Sequence, residues 1–227
     1  MNIFDYTRVS VFANKLNDNK KQMIKKTMAL YNELDRGIYL FKKHTGLRCP
    51  SLCGFCCNST KVETTVLEML PIAAMLWSQK KAESSLKAID EKPYLSACIF
   101  YKSESNRTLN GRCSVYSIRP MICRLFGFSA ITNKHGKNRL VTCSIIRKSN
   151  PQQCENAQRL VSLGLQAPKM TDFSFKAFNI NPDLMQRQVP INQAAKEAIE
   201  RVGFYMHFKS QPQNKMKTLK PTLSALC

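Results

Sequence analysis

Residues 49–57 read CPSLCGFCC and constrain this chain more than any other stretch. Four thiols fall there in a C-x3-C-x2-C-C spacing, a density that apolar core packing gives no reason for. Thiols this close either oxidise to one another or share a metal. The redox setting decides between them. Residues 1–22 carry acidic and polar side chains where the continuous apolar core of a secretory signal would stand, so the expected location is cytoplasmic and the thiols reduced. In that setting a cysteine-dense motif reads as metal-binding or catalytic. The ten cysteines also fall below the roughly 8–10% of a short secreted disulfide scaffold, and eight of them lie between Cys49 and Cys143.

Thiolates are soft ligands that suit zinc, copper(I) and iron–sulfur clusters. Cys53 and Cys56 form a C-x2-C bite whose sulfurs reach one centre, and Gly54 between them is free to take positive φ and turn backbone N–H groups toward sulfur. Cys49 stands about one helical turn earlier. Cys57 is harder to place, because neighbouring side chains diverge: it binds a second metal, bridges, or serves as a small apolar residue. One motif cannot complete such a site. Residues 111–127, GRCSVYSIRPMICRLFG, supply Cys113 and Cys123 across an expected strand-to-helix turn. Arg119 and Cys123, at i and i+4, are expected on one helix face, where a guanidinium lowers a thiol pKa. The competing reading pairs Arg119 with Glu68. Arg124 is expected at the surface or against a partner.

Around these motifs the chain reads as mostly helical. Residues 1–19 are polar and expected to be irregular. Ile24, Met28, Tyr31, Leu34, Ile38 and Phe41 then form one face of a helix over 20–43, with Gly46 as its stop. Residues 61–65 are β-prone, and Thr65 with Glu68 makes a capping box opening a helix that kinks or restarts at Pro71. A further helix covers 80–90. Two hairpins are expected: 98–101 with 113–116 around Asn110-Gly111, and 128–132 with 140–143 around residues 133–136. Ser117 is expected to cap a helix through Pro120 to Phe126. Cys154 precedes a helix over 156–163, residues 166–190 look like a loose connection, and 192–205 form a last helix with Ala195, Ile199 and Val202 inward. From 209 onward the tail is basic and expected to be disordered.

The formal charge is +20, and no acidic residue falls between Glu104 and Glu155, where Arg107, Arg112, Arg119, Arg124, Lys134, Lys137, Arg139, Arg147 and Lys148 all lie. Such a field attracts nucleic acid, anionic lipid or acidic protein surfaces. No nucleic-acid motif accompanies it, so a solvated surface that offsets thiolates is favoured and nucleic acid is a secondary partner. No apolar run approaches the about 20 residues that a membrane-spanning helix needs. His44, His135 and His207 are scattered, and neither a G-x-S-x-G elbow nor a P-loop is present.

Taken together, C-x3-C-G-x-C-C, a Cys with following apolar residues at Cys98, and G-x-C-x-V-Y-x-x-R-P-x-x-C-R resemble the YkgJ-type cysteine-cluster family, a zinc- or iron-chelating domain that includes a flagellin lysine-N-methylase. The resemblance covers about 49–143. It implies a ligand set of Cys49, Cys53, Cys56, Cys57, Cys98, Cys113 and Cys123, with Cys143 less secure, and a zinc or iron–sulfur cofactor. Cys227 is expected to be free. The C-x3-C-x2-C spacing is also that of radical S-adenosylmethionine enzymes, but no repeated strand–helix pattern follows, and all eight glycines are isolated. The reading is thus an α+β chain: a polar segment and amphipathic helix over 1–46, a small cysteine-rich metal-binding domain with short hairpins over 47–165, a connection and C-terminal helix over 166–208, and the tail over 209–227. Its expected function is metal binding, with a metal ion or cluster and a protein as expected partners. Protein lysine N-methylation is the enzymatic alternative. Neither catalytic residues nor oligomeric state can be read from the sequence.

Overall fold

The computed structural model describes residues 3–51, 53–103 and 111–209. Its long strut is α2 (Asp18–Thr45), and the reason is local. Asn17 caps it by accepting from the Lys20 N–H, and Gly46 ends it at φ 71°, donating to the Lys42 carbonyl. All six residues of the sequence-derived stripe, from Ile24 to Phe41, are buried. A shorter helix, α1 (Ile3–Ala13), precedes it and corrects the irregular segment expected there. Val9, Phe12, Ala13 and Leu16 are buried at helical spacing, and the polar residues between them mask that period in the sequence.

After the cysteine turn, β1 (Glu63–Thr64) leads into α3 (Val66–Ser78), capped by Thr65, whose side chain accepts from the Glu68 N–H. The helix runs through Pro71 without a break, and every residue from Val66 to Leu76 is buried. It is the central helix, packed by α1, by α2, by α4 (Ala82–Asp90) and by α10 (Ile191–Lys209). Ala195, Ile199 and Val202 of α10 point inward, and the Ile199 carbonyl accepts from the indole N–H of Trp77.

Among the described residues the strands form three separate antiparallel pairs. The first hairpin is displaced toward its loop from the expected 98–101 and 113–116: β2 (Tyr101–Ser103) pairs with β3 (Gly111–Cys113), Tyr101 opposite Cys113. Cys98 therefore sits in a turn before the strand, not on it, because the Tyr101 N–H closes back on the Cys98 carbonyl. The second hairpin, β4 (Ser129–Thr132) with β5 (Asn138–Val141), forms around the expected turn, but its second strand lies two residues earlier than expected, leaving Cys143 off the strand. The third pair joins β1 to β6 (Val189–Pro190), a non-local contact that the sequence did not suggest.

Between the hairpins, Tyr116–Ile118 is a 3-10 turn and α5 covers Met121–Leu125. Ser117 lies inside that turn and is not the N-cap of α5, contrary to the sequence expectation. Arg119 is extended, as expected of a residue before proline, and Pro120 is the N-cap. Next come α6 (Ser144–Ser149) and α7 (Pro151–Ser162), which contains Cys154. The stretch read as a loose connection holds α8 (Met170–Phe178), with Phe173 and Ala177 buried one turn apart, and α9 (Pro182–Met185). One apolar cluster runs from Val9 to Val202 through all of this. Arg107, Asn110, and residues 210–227 with Cys227 lie outside the described residues. This is an α+β architecture of helices around short strand pairs, and no described helix is long and apolar enough to cross a membrane.

Candidate metal centre

Seven of the eight cysteines singled out above line a single cavity of about 330 Å³: Cys49, Cys53, Cys56, Cys57, Cys98, Cys113 and Cys123. Three chain segments bring them there. In the first, the Cys57 and Asn58 N–H groups both donate to the Gly54 carbonyl, winding 54–58 into a tight turn that aims the sulfurs inward. The Cys98 N–H then donates to the Cys57 carbonyl, tying the second segment to that turn. Cys113 arrives on β3 opposite Tyr101, and Cys123 arrives on α5. Cys143 stands apart from the lining: its sulfur accepts from the Ile146 N–H and caps α6. None of the nine described cysteines is disulfide-bonded.

Gly54 has a different role from the one its sequence suggested. Its φ is not positive. What it provides is room, because the Tyr101 ring occupies the place of its missing side chain. The same ring lies against Gly111, whose absent Cβ would also meet the Lys102 carbonyl.

The thiols act on one another's titration: the neighbouring Cys57 thiol favours Cys56 and Cys113 as thiolates, so Cys56 is lowered to about 6 and Cys113 is also lowered. Cys57 is raised correspondingly. Arg119 adds a smaller downward pull on Cys56 and Cys113. Burial pushes Cys98 up to about 12 and raises Cys123 well above the ordinary thiol value. Arg119 reaches the thiols from an extended loop rather than a shared helix face, and on Cys123, the thiol the sequence paired it with, burial outweighs its pull. Its guanidinium stacks 3.6 Å from the Tyr116 ring centroid, and its Nε has no hydrogen-bond partner among the described residues.

Among the described residues Glu68 pairs with no guanidinium. Its Oε2 accepts from the Met121 N–H at 2.7 Å, holding the first turn of α5, while Oε1 accepts from the Thr65 hydroxyl. Burial raises its pKa. Arg124, expected at the surface, is 2% exposed. It donates to the Ser117 and Arg119 carbonyls, pairs with Asp35 of α2, and lies 4.4 Å from the Tyr31 ring centroid. Tyr31 in turn donates to the Glu68 carbonyl. This network fastens the loop before Cys123 to α2 and α3.

Asn192, at the start of α10, holds the Cys98 loop. Its side-chain oxygen accepts from the Ile99 N–H, and its amide donates to the Ala97 carbonyl and the Ser96 hydroxyl. Sequence reasoning missed it. The available signal was a polar residue, 1% exposed here, leading the apolar face of a helix.

The donor set fits zinc or iron, both of which take thiolate ligands. Among the described residues no three Cys, His, Asp or Glu side chains form a ready-made cage for one ion. The sulfurs instead ring a wider space. Residues 48–156 match the model of the CxxCxxCC family, described as "Putative zinc- or iron-chelating domain". The matched segment is the one whose motifs resemble the cysteine-cluster family. No curated protein and no solved structure matches the chain.

Proposed function

We propose that this chain is a cytoplasmic metal-binding protein whose thiols hold a polynuclear centre, an iron–sulfur cluster or more than one zinc ion. The observation that carries the reading is seven cysteines on one cavity. A tetrahedral zinc site uses four ligands at about 2.3 Å, so seven sulfurs around a space this wide exceed what one ion takes up. Cys57 would be the ligand placed to serve more than one metal, since it follows Cys56 directly in the turn and lines the same cavity as Cys113. Cys98 and Cys123 supply the buried, water-poor wall, and Arg119 offsets the accumulated thiolate charge. A bound iron–sulfur cluster would supply one-electron chemistry, whereas zinc would supply a structural cross-link.

Anaerobic purification, an absorption spectrum and metal and sulfide analysis test this. Iron with matching sulfide and visible absorption, or at least two zinc ions per chain, is the expected result. A colourless protein with a single zinc would overturn the polynuclear reading, and a protein free of both metals would overturn metal binding altogether.

A further inference from the structure

The β4–β5 ribbon carries charge of one sign on its exposed side. Residues 131–137 are all exposed, and Lys134, His135, Lys137 and Arg139 crowd the tip and the returning strand. Only one face of the ribbon is packed. Ala130 and its partner Leu140 turn toward the core, so by strand alternation Ile131 and its partner Arg139 point outward. The tip itself is fastened: Asn133 Oδ1 accepts from the His135 and Lys137 N–H groups, and the Asn133 N–H donates to the Lys137 carbonyl. Close behind β5, α6 adds the exposed Arg147 and Lys148. Among the described residues, Lys134, Lys137, Arg139, Arg147 and Lys148 form no ion pair, and Glu155 of α7 is the one carboxylate on β4, β5, α6 and α7. None of these cations lines the thiol cavity, so the metal-binding reading leaves them without a task.

We propose that this ribbon is a contact for duplex DNA, seated in the major groove with its cations on the flanking phosphates. The groove, about 12 Å wide and about 8.5 Å deep, admits a two-stranded β-ribbon. Strands of four residues, rising about 3.4 Å per residue, carry the tip about 13 Å from their base, enough to reach the groove floor. Lys and Arg without partners inside the protein are free to neutralise phosphates, and each phosphate neutralised releases condensed counterions. Ile131, outward beside Arg139, offers an apolar contact of the kind a thymine methyl group takes. The Asn133 turn holds the tip in shape before DNA arrives, which lowers the ordering cost of binding. The major groove of A-form RNA is deep and narrow and excludes such a ribbon, so the fit is to DNA.

The test is fluorescence anisotropy of a labelled DNA duplex of about 20 base pairs, titrated with the metal-loaded protein as purified. The expected result is saturation in the micromolar range at about 50 mM salt, with log K falling against log salt at a slope of about −4. Changing Lys134→Glu and Lys137→Glu together should weaken binding about tenfold or more and flatten the slope by about 2. Lys26→Glu with Lys92→Glu, an equal charge change at exposed positions on α2 and after α4, should weaken it less than about threefold. Thermal midpoint and metal content are followed for each variant, so that loss of binding and loss of fold are told apart. An RNA duplex of the same sequence should bind about fivefold more weakly or worse. Absence of saturation by about 100 μM, or equal weakening by the two double variants, overturns the DNA contact. RNA duplex or single-stranded DNA bound as tightly as duplex DNA overturns the seating in the major groove. Capture by vesicles of anionic phospholipid, with no saturable DNA binding, would overturn the proposal and assign the ribbon to a membrane surface.

Discussion

A Cβ built on Gly54 would stand 2.2 Å from Cε2 of Tyr101. The ring fills the space between the cysteine turn and the β2–β3 hairpin, and it cannot swing aside freely because it also lies against Gly111. Gly54→Ala is therefore expected to destabilise the protein by about 1–3 kcal/mol, the range for overpacking, seen as a lowered denaturant midpoint. The loss should fall mainly on the turn that carries Cys53, Cys56 and Cys57, so metal content drops with it. Pairing the change with Tyr101→Leu should recover part of the loss, since the two residues share one space. Gly136→Ala is the control: nothing lies within 4 Å of its Cβ position, so only the strain of φ +75° remains.

Arg124 is the second point of failure. Arg124→Met leaves the Ser117 and Arg119 carbonyls and the Asp35 carboxylate without their donor, and a loss of about 3 kcal/mol is expected. Arg124→Lys should recover less than half of it, because one ammonium cannot reproduce a planar fork that serves three acceptors. Denaturant unfolding measures both variants.

Asn192→Leu keeps the volume and removes every polar contact to the Cys98 loop. The Ile99 N–H and the Ala97 carbonyl then go unpaired, costing about 1–3 kcal/mol. Metal stoichiometry should fall more than stability alone would suggest, because the loop it frees carries a lining cysteine. Metal analysis beside a thermal melt separates the two effects.

Cysteine variants test the proposed ligand set directly. Cys57→Ala and Cys113→Ala should abolish stoichiometric loading. Cys154→Ala, altering a buried thiol within α7 that does not line the cavity, should leave loading intact and cost about 1 kcal/mol as a lost small apolar contact. Equal loading in Cys57→Ala and wild type would remove Cys57 from the set.

How much of this was legible depends on the range of each interaction. The stripe of α2, the Thr65 capping box and the second hairpin rest on residues within a few positions of one another, and the sequence carries them openly. The cysteines were legible as a set because their chemistry is rare enough to mark itself. Arg124 was misread for the opposite reason: a charged residue is ordinarily exposed, and its partners Asp35 and Tyr31 lie on a helix far back in the chain. Gly54 was explained by its own backbone freedom, whereas its reason is a ring that comes close only after folding. The pairing of β1 with β6 involves strands of two residues each, too short to carry a pattern.

Asn192 and the β1–β6 pair lie partly or wholly beyond residues 48–156, yet they fix the position of Cys98 and the exit from the cysteine turn. The segment defined by its motifs is thus not mechanically self-sufficient. Its sulfurs are held in place by a clasp from the far end of the fold, and any change that loosens α10 reaches the thiol cavity without touching a cysteine.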